Sequence, residues 1–252
     1  VLPAGFTAEK VAPGASWGSV AALAFAPDGR LFVPGETRAL WVVKNNARLA
    51  KPFIDLTEEV LANGDRGLLG LALDPGFAAN RHVYLLYTVD PDGDGVDDEI
   101  PAFSRLTRYT AEEGSPNVAD PASRRVLIGS SWSTGTPSVY ETHTIGALHF
   151  APDGSLLLSS GESSHSDRAD AGGRDPAAFG TGKTPLSEDI GSFRAQWIGS
   201  LGGKILRVDP ATGGGLPSNP YFTGNPLDNA SRVWAYGLRN PFRFCVRPGT
   251  GS

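Results

Sequence analysis

One pattern restricts this chain more than any other: a strand–turn–strand unit that returns along its length. Leu23-Ala24-Phe25-Ala26-Pro27-Asp28-Gly29-Arg30-Leu31-Phe32-Val33 is nearly copied by Leu148-His149-Phe150-Ala151-Pro152-Asp153-Gly154-Ser155-Leu156. A looser copy, Leu71 to Phe77, leads into Val83 to Tyr87, and Phe242 to Gly251 begins another. In the close copies apolar residues alternate and then meet Asp-Gly, the dipeptide that turns one antiparallel strand into the next. The intervals Pro27 to Pro75 and Pro152 to Pro248 read as about one and two units of a spacing near the ~40–50 residues of a propeller blade. The expected fold is therefore all-β: a β-propeller whose radially repeated sheets protect their edges. Residues 1–252 are read as one such domain holding about four blades. Ser252 falls after a turn with no returning strand, so either the chain is a fragment or its closing strands come from elsewhere.

Further strands are expected at Leu40 to Val43, Leu106 to Tyr109, Arg125 to Ile128, Lys204 to Val208 and Arg232 to Tyr236. Thr57 to Gly64 reads as a short helical turn, with Thr57 as N-cap and Glu58 and Glu59 in its first turn. Ser163 to Arg194, polar and rich in Gly, Asp and Ser, reads as a long irregular loop, and such loops are usually functional or mobile. The 32 Gly and 20 Pro suit many strands and tight turns. A net charge of −5 with no basic cluster argues against nucleic acid and anionic membrane as partners. The longest apolar run, Val20 to Ala26, is too short to span a bilayer. Cys245 is alone, which rules out an intrachain disulfide and suggests a buried, inert thiol. The chain contains no Met, so Val1 is expected to follow a removed signal peptide or an upstream domain. Asn229-Ala230-Ser231 fits the glycosylation triplet, a pattern common by chance.

The hairpin Leu148 to Ser160 places His143 just before its outgoing strand and Glu162 just after its returning one. Such a return can bring the two together, and a carboxylate beside an imidazole raises the basicity of the far nitrogen. Asp90-Pro91-Asp92-Gly93-Asp94-Gly95-Val96-Asp97-Asp98-Glu99 matches the start of a Ca²⁺ loop. Position twelve is Pro101 rather than Glu, so Asp97 or Asp98 has to complete the shell, with the Val96 carbonyl as another ligand. Gly180 to Thr184 imitates the tail of a phosphate loop, but Ala177 stands where the leading Gly belongs and Pro185 breaks the following helix. His82, His149 and His165 carry no comparable pattern, though His165 with Asp167 is a weak metal candidate.

Four stretches in order resemble the soluble pyrroloquinoline-quinone (PQQ)-dependent sugar dehydrogenases, six-bladed propellers that oxidise aldoses. They are Asp65 to Pro75, His143 to Glu162, Ala195 to Arg207 and Trp234 to Pro241. The resemblance implies that His143 takes the proton of the sugar C1 hydroxyl while hydride passes to PQQ, giving a lactone. Glu162 stands where the family usually has an Asp orienting that histidine. Arg239 and Asn240 match its cofactor-binding pair, and a guanidinium fork suits quinone and carboxylate oxygens. Asp65 falls where the family has a polar Gln or Glu lining the same pocket.

The implied partners are a small sugar and an external electron acceptor, and the implied location is secreted or periplasmic. There are departures. Thr144-Ile145-Gly146 replaces smaller residues after the histidine, and Ile145 would narrow the sugar pocket. The family's cofactor-bound Ca²⁺ is held by the next blade, beyond Ser252. The alternative is a non-catalytic propeller that binds a glycan or a protein, as hedgehog-interacting relatives keep the propeller without the oxidation. A Ca²⁺-dependent propeller lactonase would want acidic and Asn ligands on the channel and fits these residues less well.

Overall fold

A computed structural model describes residues 2–35, 38–98 and 100–247. Val1, Glu99 and the Pro248-to-Ser252 end of the last repeat lie outside the described residues. Three antiparallel sheets form, each beginning with one copy of the repeat. The first holds β1 (Ala24–Phe25), β2 (Leu31–Pro34), β3 (Ala39–Lys44), β4 (Ala47–Arg48) and β5 (Ile54–Asp55). The second holds β6 (Leu68–Leu73), β7 (His82–Val89), β8 (Ala102–Ala111), β9 (Ala119–Ile128) and β10 (Thr136–Ser138). The third runs β11 (Ile145–Phe150), β12 (Leu156–Ser160), β13 (Lys204–Val208) and β14 (Val233–Tyr236) in that order. It is a plain meander, whereas β5 returns to β3 in the first sheet and both β9 and β10 pair with β8 in the second. The all-β propeller architecture and the five further strands are as the sequence predicts.

The Pro152-to-Pro248 interval, however, contains one sheet rather than two. The loop between β12 and β13 fills the extra length, so spacing alone overcounts. The described part of the last repeat, 242–247, forms no strand but lies along β11: Phe244 meets His149 edge-on at 5.0 Å between ring centres. Cys245 is exposed on this stretch, contrary to the expected buried thiol.

The sheets stack face to face, and β7 explains why its sequence is a continuous apolar run. Val83, Leu85, Tyr87 and Val89 pack with Phe32, Leu40, Val42 and Phe53 of the first sheet's layer. Tyr84 and Leu86 point the other way, into Leu148, Leu156, Leu158 and Leu206 of the third. Each wholly buried side chain of this size contributes roughly 1.5–3 kcal/mol. Strands β6 and β11 come close because Gly70 has no side chain; a Cβ there would sit 3.2 Å from both Gly146 O and the Leu148 Cβ of β11.

Thr57 to Gly64 is a single turn, not a helix. Val60 N–H donates to Leu56 O at 3.0 Å, and Val60 then bridges to Val89. Thr57 N–H donates to Asp55 Oδ1 at 3.0 Å and its Oγ1 to the same oxygen at 2.6 Å. Glu59 turns outward to accept from Tyr87 Oη at 2.6 Å and Arg105 Nη1 at 2.5 Å, which fixes the turn to the second sheet.

Candidate functional site

Antiparallel order puts four connections at one end of the sheets: the entries to β6 and β11, the exit from β12 and the exit from β14. Asp65, His143, Glu162 and Arg239 lie on them in turn. Glu162 is the centre. Its side chain is 4 % exposed. Its Oε1 accepts from Arg239 Nη1 at 2.8 Å and Ser164 Oγ at 2.5 Å, and lies 3.6 Å from His143 Nδ1. That last separation is ion-pair range and too long for a hydrogen bond. His143 Nδ1 is buried and has no hydrogen-bond partner.

Burial lowers the pKa of His143 first, the Arg239 cation lowers it further, and Glu162 and Asp65 oppose both. The imidazole is therefore neutral at pH 7, the state in which it can accept a proton. Asp65 binds the backbone rather than the ring of the histidine: its Oδ2 accepts from His143 N–H at 2.9 Å. Arg239 is 53 % exposed at the side chain, with Nη1 held by Glu162 and Nη2 in a long bond to Ser166 O at 3.5 Å. Asn240 is exposed beside it, its carbonyl accepting from Phe242 N–H at 2.8 Å.

A cleft of about 520 Å³ opens beside this group, lined among others by Gly64, Asp65, Gly67, Leu69, Phe242 and Arg243. Asp65 is the member that reaches it. Ile145 is buried in the core of the third sheet rather than set against this cleft. The other histidines stay apart: His82 pairs loosely with Asp74, and His165 packs on Tyr140.

Two buried cations escape sequence reasoning. Arg194 is 1 % exposed and donates to Glu162 O at 2.7 Å, Ser163 O at 2.7 Å and Glu188 O at 2.6 Å. Lys204 is fully buried, with Nζ donating to Arg194 O, Ala195 O and Gly202 O, and burial brings its pKa down to about 8. Together they tie the irregular loop after Glu162 to the sheet. No periodicity marks a cation whose partners are carbonyls scattered over a loop.

At the acidic loop, Asp90, Asp92 and Asp94 bring carboxylate oxygens within 4.8 Å of one another. Asp90 Oδ2 accepts from Gly95 N–H at 2.9 Å and Asp94 Oδ1 from Val96 N–H at 2.7 Å, the geometry that lets such a loop curl. Asp97 is committed elsewhere, to Ala62 N–H at 2.7 Å and to Arg38. Asp98 keeps a buried Oδ1 without a partner. The triplet at Asn229 is closed, since its Nδ2 donates to Gly199 O at 2.9 Å and Ser231 is fully buried.

The family model for glucose/sorbosone dehydrogenases matches residues 18–252. The chain belongs to that family. Hedgehog-interacting protein of Mus musculus is 26 % identical over 230 residues, which is 86 % of this chain and 28 % of that protein. Quinoprotein glucose dehydrogenase B of Acinetobacter calcoaceticus is 25 % identical over 235 residues, 90 % of this chain and 43 % of that one. The crystal structure of a putative oxidoreductase (glucose dehydrogenase) from Thermus thermophilus superposes with a TM-score of 0.65 at 28 % identity, covering 93 % of this chain and 56 % of that one. The chain thus spans less than half the length of these two curated relatives and about half of the solved one. Among the described residues no helix is long and apolar enough to cross a membrane.

Proposed function

We propose that this chain carries the base and one cationic anchor of a PQQ site that oxidises the C1 hydroxyl of an aldose to a lactone. The observation that carries the reading is one buried carboxylate, Glu162, shared between an exposed guanidinium and a partly buried, neutral imidazole. The residues fit such a cofactor: Arg239 presents donors suited to quinone and carboxylate oxygens, and Asn240 stands beside it. When bound, the quinone supplies the two-electron oxidising power by taking hydride from the sugar C1.

His143 does the proton work. A neutral imidazole accepts the C1 hydroxyl proton, and Glu162 at 3.6 Å stabilises the imidazolium that results. Asp65 lines the adjoining cleft. An external acceptor re-oxidises the cofactor, and the protein works outside the cytoplasm, secreted or periplasmic. Ca²⁺ belongs to this reading as a structural ion at Asp90, Asp92 and Asp94, with the Val96 carbonyl and Asp98 completing the shell.

The second reading is a propeller that binds a glycan or protein without turnover, favoured by the likeness to Hedgehog-interacting protein. Dye-linked dehydrogenase activity of the full-length protein across a panel of aldoses, with PQQ and Ca²⁺ added, separates the two. Reduction that requires PQQ supports the enzyme. Absence of reduction from a full-length protein supports the binder.

A further inference from the structure

Seven described residues other than glycine have positive φ, and two of them meet at the site. His143 has φ 53° and Ser163 φ 54°, and Ser163 N–H donates to His143 O at 2.9 Å. A left-handed L-residue costs roughly 1–2 kcal/mol, so it persists only where its surroundings impose it. Asn45 and Asn46 have an ordinary reason, a two-residue hairpin turn between β3 and β4. Arg81 ends a short helix in the usual left-handed cap. His143 sits in neither.

What holds it is a set of bonds converging from Asp65. The carboxylate accepts from His143 N–H at 2.9 Å. Asp65 N–H donates to Glu141 O at 2.7 Å, and Asp65 O accepts from Thr144 Oγ1 at 2.5 Å. One residue thereby grips the chain on both sides of the histidine. On the far side, Gly161 leaves room for His143 O, which a Cβ at 161 would approach to 2.2 Å.

We infer that Asp65 is a positioning residue for His143: its carboxylate holds the left-handed turn that sets the imidazole against Glu162. This rests on the proposed role of His143 as base, and it gives Asp65 a task other than direct contact with the cofactor. The charges facing the imidazole are Glu162, Arg239 and Asp65 itself. An Asn at 65 keeps an acceptor for the His143 N–H but removes one negative charge. An Ala removes both.

The test uses full-length protein without cofactor and reads His143 by NMR. In Asp65→Ala the His143 amide exchanges about tenfold faster or more, as loss of a charged acceptor predicts, and its Cα and Cβ shifts leave the left-handed range. In Asp65→Asn the amide stays protected while the imidazole midpoint falls. With PQQ added, Asp65→Ala lowers kcat while PQQ affinity stays near that of the wild type. Unchanged His143 signals in Asp65→Ala overturn the inference, and a selective loss of PQQ affinity would make Asp65 a cofactor contact. If Asp65→Ala does not fold, Asp65→Asn decides: a His143 amide that loses its protection although an acceptor is kept at 65 overturns it. If the wild type binds no PQQ, the cofactor reading fails by itself and the cofactor-free arm still tests Asp65.

Discussion

His143 Nδ1 and Glu162 Oε1 stand 3.6 Å apart without a hydrogen bond, because Glu162 gives that oxygen to Arg239 and Ser164 instead. Arg239 therefore acts on the histidine twice. It occupies the carboxylate that would accept from Nδ1–H, and its own charge disfavours the imidazolium. An imidazole held this way is neutral at rest and becomes more basic when the guanidinium is drawn elsewhere.

The first prediction concerns pH. His143 has a folded-state pKa below the usual 6.5, so kcat/KM of the proposed reaction should keep its plateau down to that value and fall only in more acid solution. Arg239→Gln should move the His143 midpoint upward, since both effects of the cation are lost; a midpoint that stays put or falls would break the link. Stability has the same sign. A depressed folded pKa means the unfolded chain binds more protons, so the contribution is intact above about 6.5 and is lost as pH falls through the folded value. His82 and His149 are lowered by burial too and add to that slope in thermal melts.

Gly161→Ala should be costly at a position that forms no unusual turn. Its Cβ would come within 2.2 Å of His143 O and 2.9 Å of Thr144 O, and backbone atoms have little room to yield. The expected loss is about 1–3 kcal/mol in urea unfolding, with a fall in kcat as the His143 turn shifts. Wild-type stability in this variant would mean the β11 entry is looser than described.

Lys204→Met removes the donor shared by three carbonyls and leaves Gly202 O buried with no replacement. A loss of roughly 2–4 kcal/mol is expected from unsatisfied buried acceptors. Because the same loop packs behind Glu162 through Arg194, faster proteolysis between residues 163 and 195 should accompany it. A neutral variant would show that the ammonium is incidental to the loop.

Ca²⁺ should raise the thermal midpoint of the protein if Asp90, Asp92 and Asp94 bind it, because a ligand that prefers the folded state stabilises by mass action. Asp92→Asn should abolish the rise, since Asp92 is an exposed member of the cluster with little other work. A rise that survives the substitution places the ion elsewhere.

Much of the fold was legible because it is written in local patterns. The Pro-Asp-Gly copies and β-rich runs such as Lys204 to Val208 are settled by turn chemistry and side-chain alternation, which need no knowledge of the rest of the chain. Repeat spacing misled where a loop of polar residues, fixed by buried Arg194 and Lys204, lengthened the third sheet's unit. The helix expected at Thr57 gave way to tertiary demand: Glu59 has better partners in Tyr87 and Arg105 than a helix terminus offers. At the site, the hairpin was enough to place His143 near Glu162. It could not show that Glu162 is shared with Arg239 and Ser164, nor that Asp65 binds a backbone N–H. The Arg239 and Asp65 contacts join residues 77 and 78 positions apart and leave no trace in periodicity.

The central claim is that His143 moves a proton while Arg239 binds the cofactor, and one comparison separates the two. PQQ affinity and turnover of an aldose should be measured side by side in the full-length wild type, His143→Ala and Arg239→Ala. His143→Ala is expected to bind PQQ nearly as the wild type does but no longer to reduce the dye, whereas Arg239→Ala loses affinity. A His143→Ala protein that turns over normally, or one that loses PQQ along with its activity, would contradict it.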